Sequence, residues 1–405
     1  MASPRLTDER SETSRSWRPS RVGYRPGEPN KSATFASGFN SFLTTGKLSL
    51  ALRLGFQHGV DREFMTRYLG LLFCDALFAP MRLWQNVAYS GRINRQQLHP
   101  EPLFLLGFWR SGTTLLHNLM SMDSRWGFVN TYQAAMPDVF LAGQNRVRRL
   151  IERSLPPDRG VDNIPVDFAM PQEEEIAMMC TSGLSPYTFL HFPRTAERAL
   201  DYLFVEERLD ERQRAEWKRE FTKLLKAASY NMGGKPLLLK SPSNTSRITA
   251  LLDLFPDARF VYIQRDPYDT VRSYVHLIRL MNNWHALQRV DFDELLRKQI
   301  AVYRNMAEAY LRQRDQIPAD RLVEIRYEEL EQDKVGQIRH IYGALGLEGY
   351  AEFEPQLTEY VASIEGFQKN PSDVSDQVIN AVNQYVPFLV SEYGYDFREA
   401  SAGNL

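Results

Sequence analysis

The chain has 405 residues, two or three domains by length alone, and at 43% hydrophobic it has enough apolar matter for a sizeable core. Lys and Arg (49) nearly cancel Asp and Glu (50), so no global field favours nucleic acid and any anion site has to be built locally. The two cysteines, Cys74 and Cys180, lie in apolar segments, which argues against a disulfide framework and fits a reducing, cytoplasmic compartment.

Residues 1–35 are rich in Ser, Arg, Pro and Glu with few apolar side chains, and read as a disordered tail without the apolar stretch of a secretory leader. Residues 36–100 read as an amphipathic helical extension: Leu48, Leu52 and Phe56 recur every four residues and lead into Phe64, Tyr68, Leu71, Leu72 and Leu77. These helices are expected to pack on the main domain; the alternative is that they make a peripheral membrane contact or cover a lipid-like substrate. The longest apolar run, 68–81, is broken by Asp75 and Pro80 and is too short to span a bilayer.

From residue 102 strand-like and helix-like pieces alternate. Residues 103–106 form a first strand, and Leu115, Leu116, Leu119 and Met120 stripe the helix after it. A loop-rich section covers 124–171. A charged helix over 210–230 turns Trp217, Phe221, Leu224, Leu225 and Ala228 to one side, and Gly233-Gly234 stops it. A buried strand over 236–239 precedes a helix capped by Ser243 or Asn244, with Ile248, Leu251, Leu252 and Phe255 inward. Residues 259–264 form a third strand, and Asp266-Pro267 opens a helix with proline at its first position and Val271, Tyr274, Val275 and Ile278 as its stripe. A fourth strand at 321–325 leads into a helix carrying Val335, Ile338, Tyr342 and Leu345. The expected class is α/β, a three-layer P-loop-like fold whose central parallel sheet lies in a core at 101–348. Residues 349–405 read as an irregular region that helps close the site.

The chemistry starts at Gly107-Phe108-Trp109-Arg110-Ser111-Gly112-Thr113-Thr114. Strand, glycine-bounded turn and helix make a phosphate cradle, with exposed N–H groups and a partial positive charge at the helix start. The spacing matches G-x-x-x-x-G-K-[ST] except that Thr113 stands where the lysine belongs and the cation has moved to Arg110. Parallel sheets bind ligands beyond their carboxyl ends. The other strands are followed by Lys240-Ser241-Pro242, by Arg265 with Ser273 eight residues on, and by Arg326-Tyr327. Cations and hydroxyls converging there suit a multiply phosphorylated ligand. The seven histidines lack metal-site spacing, so no metal is expected.

Over roughly residues 102–345 the chain resembles the sulfotransferases that use 3′-phosphoadenosine 5′-phosphosulfate (PAPS). Residues 107–117 look like the family's 5′-phosphosulfate loop in its bacterial form, and 265–273 like its 3′-phosphate segment. The resemblance implies PAPS as co-substrate, with Arg110, Ser111, Gly112, Thr113 and Thr114 on the 5′-phosphosulfate, Arg265 and Ser273 on the 3′-phosphate, and Tyr327 near the adenine. Lys369 would add a basic contact to the 3′-phosphate. Lys240 matches a lysine that contacts the transferring sulfuryl group. Two residues beyond it, where cytosolic members carry a catalytic histidine, stands Pro242, so the base must come from elsewhere. The acceptor implied is a hydroxyl or amine on a small-molecule or lipid-like compound. No pattern in the chain sets an oligomeric state.

The run Met170-Pro171-Gln172-Glu173-Glu174-Glu175 supplies candidate bases. Pro171 can begin a helix, and three acids in a first turn also simply complement its dipole. With Ile176, Ala177 and Cys180 inward, Glu173 falls on the apolar side, where a carboxylate gains basicity. The tyrosylprotein and mycobacterial trehalose sulfotransferases are similar in using a glutamate. Glu173 is therefore the expected base, Glu175 the second candidate and His191, near Tyr187 and Phe189, a weaker third. His117 and Asn118 read as packing or solvent residues, and Trp109 either shapes the acceptor entrance or joins the core. A P-loop kinase would need the missing lysine and an Asp-ending apolar strand for Mg²⁺. A non-catalytic nucleotide-binding or membrane-associated scaffold is the rival from another class.

Overall fold

A computed structural model describes residues 46–143, 148–149, 167–364 and 374–401. The expected tail at 1–35 and Lys369 lie outside the described residues. Four parallel strands form one sheet in the order β2-β1-β3-β4: β1 Leu103–Leu106, β2 Leu238–Lys240, β3 Arg259–Gln264 and β4 Leu322–Arg326. Leu105 pairs with Lys240 on one side of β1, and Leu106 with Tyr262 on the other. Strand alternation explains the layering. Phe104, Leu106, Leu239, Phe260 and Tyr262 feed one core, while Leu103, Leu105, Leu238, Val261 and Ile263 feed the core on the opposite face.

Among the described residues, three helices precede the sheet: α1 Leu48–His58, α2 Met65–Leu77 and α3 Ala79–Arg95. Between β1 and β2 lie α4 Thr113–Met120, α5 Thr131–Ala135, α6 Glu174–Thr181 and α7 Glu211–Asn231. Helix α7 has the expected apolar face, and Asp210 and Gln213 form a capping box at its start. Glycines 233 and 234 end it at positive φ (71° and 80°).

The next helix, α8 Ile248–Leu254, starts later than expected. Ser243 and Asn244 do not cap it; they belong to a 3₁₀ stretch, Pro242–Ser246, and the N-cap is Arg247. Pro242 fixes the tight turn, and Asn244 spends its side chain on Glu174 instead. After β3 comes α9 Pro267–His285, opened as expected with proline at its first position and capped by Asp266, whose Oδ1 accepts from Tyr268 N (2.8 Å). The 22-residue α10 Phe292–Gln313 fills a stretch for which the sequence pattern announces no element; Leu295, Ile300, Tyr303, Met306 and Tyr310 are its buried stripe. Beyond β4 lie α11 Tyr327–Gln332 and α12 Lys334–Ala344.

The region expected to be irregular beyond residue 349 is helical where described: α13 Tyr350–Ser363, α14 Asp376–Tyr385 and α15 Pro387–Glu392. Val378, Ile379, Val382 and Leu389 complete the core against α9 and α10, because burying their three- and four-residue spacing needs helical backbone. No described helix is long and apolar enough to cross a membrane.

Candidate active site

The strand order reverses between β1 and β3, so a crevice opens where their carboxyl ends diverge. The loop after β1 lines it. Gly107 (φ 146°) would place a Cβ 2.8 Å from Ile263 O, and its N–H donates to Thr245 Oγ1 (2.8 Å). Gly112 (φ 101°) is the N-cap of α4, which begins with no side-chain cap and no acid in its first turn. An uncapped helix start of this kind leaves N–H groups and partial positive charge facing the crevice. Arg110 adopts φ 70°, the only positive value outside glycine among the described residues. That strained backbone turns its guanidinium across the crevice, where Nε donates to Ser273 Oγ on α9 (2.9 Å).

Arg265, immediately past β3, donates to Arg110 O (2.9 Å), and its guanidinium lies 4.5 Å from the ring centre of Tyr327. Arg110, Arg265, Ser273 and Tyr327, which come from three strand ends, therefore meet in one place. Ser111 Oγ is turned back onto Phe108 O (2.8 Å), so its side chain holds the loop's shape.

A second cluster adjoins the loop. Lys240 at the tip of β2 is almost wholly buried and donates to Glu173 Oε1 (2.6 Å), with Thr114 Oγ1 3.5 Å away. Tyr187 OH donates to the other carboxylate oxygen of Glu173, and Trp109 Nε1 donates to Tyr187 OH (2.9 Å). Burial first, and the Glu173 carboxylate second, push the Tyr187 phenol well above its ordinary range, so it stays a donor. Glu173 retains 13% side-chain exposure, which leaves it the open member of the cluster.

The helical expectation for the acidic run needs correction. Glu173 is the N-cap of α6 rather than part of its first turn, and it is Glu174 and Glu175 that are fully buried. Glu174 Oε1 accepts from Asn244 Nδ2 (2.5 Å), while its Oε2 has no partner, and burial pushes its acid up to about 7. Glu175, the second candidate base, is turned away from the crevice into an ion pair with Arg247 (2.5 Å), both side chains wholly buried. Arg247 also lies 4.9 Å from the Trp217 ring centre. The reason is tertiary: the Pro242–Ser246 turn and Arg247 behind it offer polar partners on the side of α6 that periodicity leaves to solvent.

His191, the third candidate, stands against His285 (ring centres 5.6 Å apart) rather than in either cluster, and burial, with Arg67 next, lowers it to about 4. His117 is buried packing, its imidazole held neutral by burial and by the nearby Lys240. Trp109 is both buried and part of the Glu173 hydrogen-bond chain, stacking on Tyr274 at 5.8 Å. Tyr187 is the residue to which sequence reasoning gives no role. It lies 14 residues after Glu173, beyond a helix and a turn, and no local pattern announces the contact. No three His, Cys, Asp or Glu side chains gather to hold a metal among the described residues.

Fold and site together define a parallel three-layer α/β protein with its polar machinery at the strand tips. Residues 102–352 match a family model described as "Sulfotransferase family". The omega-hydroxy-beta-dihydromenaquinone-9 sulfotransferases Stf3 of Mycobacterium bovis (strain ATCC BAA-935 / AF2122/97) and Mycobacterium tuberculosis (strain CDC 1551 / Oshkosh) are each 31% identical over 325 residues, covering 80% of this chain and 83% of theirs. The protein belongs to the sulfotransferase family. Its fold is also similar to the crystal structure of sulfotransferase STF9 from Mycobacterium avium (TM-score 0.64, 20% identity, 88% of this chain and 98% of that one). For STF1 from Mycobacterium tuberculosis H37Rv the TM-score is 0.52 at 17% identity, over 87% and 93% of the two chains.

Proposed function

We propose that the protein moves a sulfuryl group from PAPS to the hydroxyl of a lipid-like acceptor, releasing the sulfated acceptor and adenosine 3′,5′-bisphosphate. The observation that carries this reading is the pairing of Lys240 with Glu173 (2.6 Å) beside the loop that joins Arg110 to Ser273 and Arg265. A base and a cation stand together where the strand tips already gather positive charge. The mycobacterial relatives are named for a hydroxylated menaquinone as acceptor, which supports a lipid-like alcohol here over an amine.

In this reading the N–H groups at the start of α4, with Arg110, Ser111, Gly112, Thr113 and Thr114, hold the 5′-phosphosulfate. Arg265 and Ser273 take the 3′-phosphate, Tyr327 borders the adenine, and Lys369 adds a further cation. Glu173 accepts the proton as the acceptor oxygen bonds to sulfur and the bond from sulfur to the phosphate oxygen breaks. Negative charge then grows on that phosphate oxygen, and Arg110 and Lys240 stabilise it without having to reorganise. A preorganised contact of this sort contributes on the order of 3 kcal/mol. Tyr187 holds the carboxylate of Glu173 in one orientation through the oxygen that Lys240 does not use. With proline at 242, no imidazole competes for the proton.

Two measurements test this. Adenosine 3′,5′-bisphosphate without magnesium should raise the melting temperature by a few degrees at saturation, roughly 3 kcal/mol of linkage at a hundred times Kd, whereas ATP with Mg²⁺ should leave it unchanged. Glu173→Gln should lower turnover by about 10²–10⁴ while keeping the nucleotide shift. Near-normal turnover of that variant would remove Glu173 from the mechanism, and a shift with ATP–Mg²⁺ alone would favour a kinase.

A further inference from the structure

The helices α2 and α3 are inside out, and α1, which buries Leu50, also turns apolar side chains outward. Nine of the ten large apolar side chains that are exposed among the described residues lie on α1–α3, Phe397 being the tenth. They form stripes at helical spacing: Phe56 (95% exposed) on α1, Leu69, Phe73 and Leu77 on α2, and Trp84 and Val87 on α3. The buried positions of α2 and α3 are instead polar apart from Ile93: Asp75, Arg82 and Gln85. Asp75 accepts from Gly46 N (2.8 Å) and faces Arg82 (3.8 Å), while Gln85 bonds Pro137 O and Leu141 N. A surface helix that meets only water and its own protein carries the opposite arrangement, and an apolar face of this extent marks a contact surface.

Charge selects the occupant. Residues 46–95 hold seven Lys and Arg against three Asp and Glu. All three acids are engaged within the protein: Asp61 with Arg194, Glu63 with Arg289, and Asp75 as above. Exposed Arg53, Arg62, Arg92 and Arg95 therefore surround an apolar face with uncompensated positive charge. A second copy would bring two like-charged rims together. Residues 1–45 carry seven Lys and Arg against four Asp and Glu, again the same sign. An anionic bilayer complements both the charge and the apolar stripe, with Trp84 at home at the headgroup boundary.

We propose that α1–α3 form a docking face for an anionic lipid bilayer, their apolar stripes entering the headgroup region and the arginines meeting lipid phosphates. The face is placed to matter for chemistry. Lys47 N donates to Cys180 O (3.3 Å) near the end of α6, and Glu173 caps the start of the same helix, about 10 Å away. Docking would thus hold the crevice close to acceptors dissolved in the membrane, but the docking itself is independent of the acceptor and of the sulfuryl-transfer reading.

The test uses the full chain and sedimentation with vesicles, with no donor or acceptor present. Vesicles of equal parts phosphatidylcholine and phosphatidylglycerol should carry the protein down, and added salt should weaken binding. The triple variant Phe56→Ser, Phe73→Ser, Trp84→Ser should lose affinity by about tenfold or more. It should keep the wild-type melting curve and the adenosine bisphosphate shift, because all three side chains are exposed. Arg62→Glu with Arg92→Glu should weaken binding to the anionic vesicles only. The proposal is overturned if the wild type stays in solution, if the triple variant binds equally well, or if it converts a dimer to a monomer. It is also overturned if deleting residues 1–45 creates the binding, since that segment would then be the face's own cover. Sulfate transfer to a short-chain, water-soluble alcohol, measured separately, reports on the enzymatic reading alone.

Discussion

Glu173 and Glu175 are two residues apart and have different fates, which makes them the sharpest residue-level comparison in the molecule. Glu173 is shared between Lys240 and Tyr187 at the edge of the crevice, whereas Glu175 neutralises Arg247 in the core. A buried ion pair adds little over an apolar pair, but removing one partner strands the other, at about 3–5 kcal/mol. Glu175→Gln should therefore lower the denaturant midpoint by an amount equivalent to about 3–5 kcal/mol. A midpoint matching wild type would show that Arg247 finds another partner. Choosing between these acids is beyond the sequence. The 3.6-residue period is legible there, but the polar partners arrive from residues 240 and 247, about seventy positions away. Tyr187 is invisible to sequence reasoning for the same reason.

At the scale of elements, the turn between β1 and α4 is the most legible part of the chain, because its demands are local. Gly107 and Gly112 stand where φ is positive and where a Cβ would collide. For Gly112 the collision is with Tyr327 Cδ2 at 2.2 Å, and Tyr327 in turn underlies Arg265. Gly112→Ala should cost about 1–3 kcal/mol in the melt and abolish the thermal shift with adenosine 3′,5′-bisphosphate, since displacing Tyr327 moves Arg265. A variant that melts and binds like wild type would mean the ring yields freely. The strands at 103–106 and 259–264 and the Asp266 cap are equally plain, being runs and caps whose physics is complete within a few residues. Helix α10 is not, although its stripe is regular; it lies between motifs and carries no glycine or proline to punctuate it. The helices α1–α3 are legible as helices, but their orientation is not: Leu52, Phe56 and Leu77, expected to pack inward, face outward. An amphipathic period fixes that a helix has two faces, not which of them meets the protein.

For the molecule as a whole, the burial of Glu174 links stability to pH. Burial lifts Glu174 from its ordinary 4.5 to about 7, so the folded protein keeps a proton that the unfolded chain releases. Between those values the folded state binds more protons, and stability falls as pH rises, levelling above the window. The full displacement amounts to on the order of 3 kcal/mol. Glu174→Gln keeps an oxygen for Asn244 Nδ2 without the titration, so its melting temperature should gain on wild type from about pH 5 to about pH 8. Parallel melting curves across that range would show that Glu174 titrates normally. By itself the sequence determined the parallel α/β sheet, the glycine-bounded loop and the cations at its strand tips, because hydrophobic period, backbone sterics and turn chemistry act over a few residues. Only the tertiary structure decided which glutamate meets Lys240, which tyrosine orients it, and that α1–α3 show their apolar stripes to the outside. Each of those outcomes depends on which distant surface a segment lands against, and packing alone decides that.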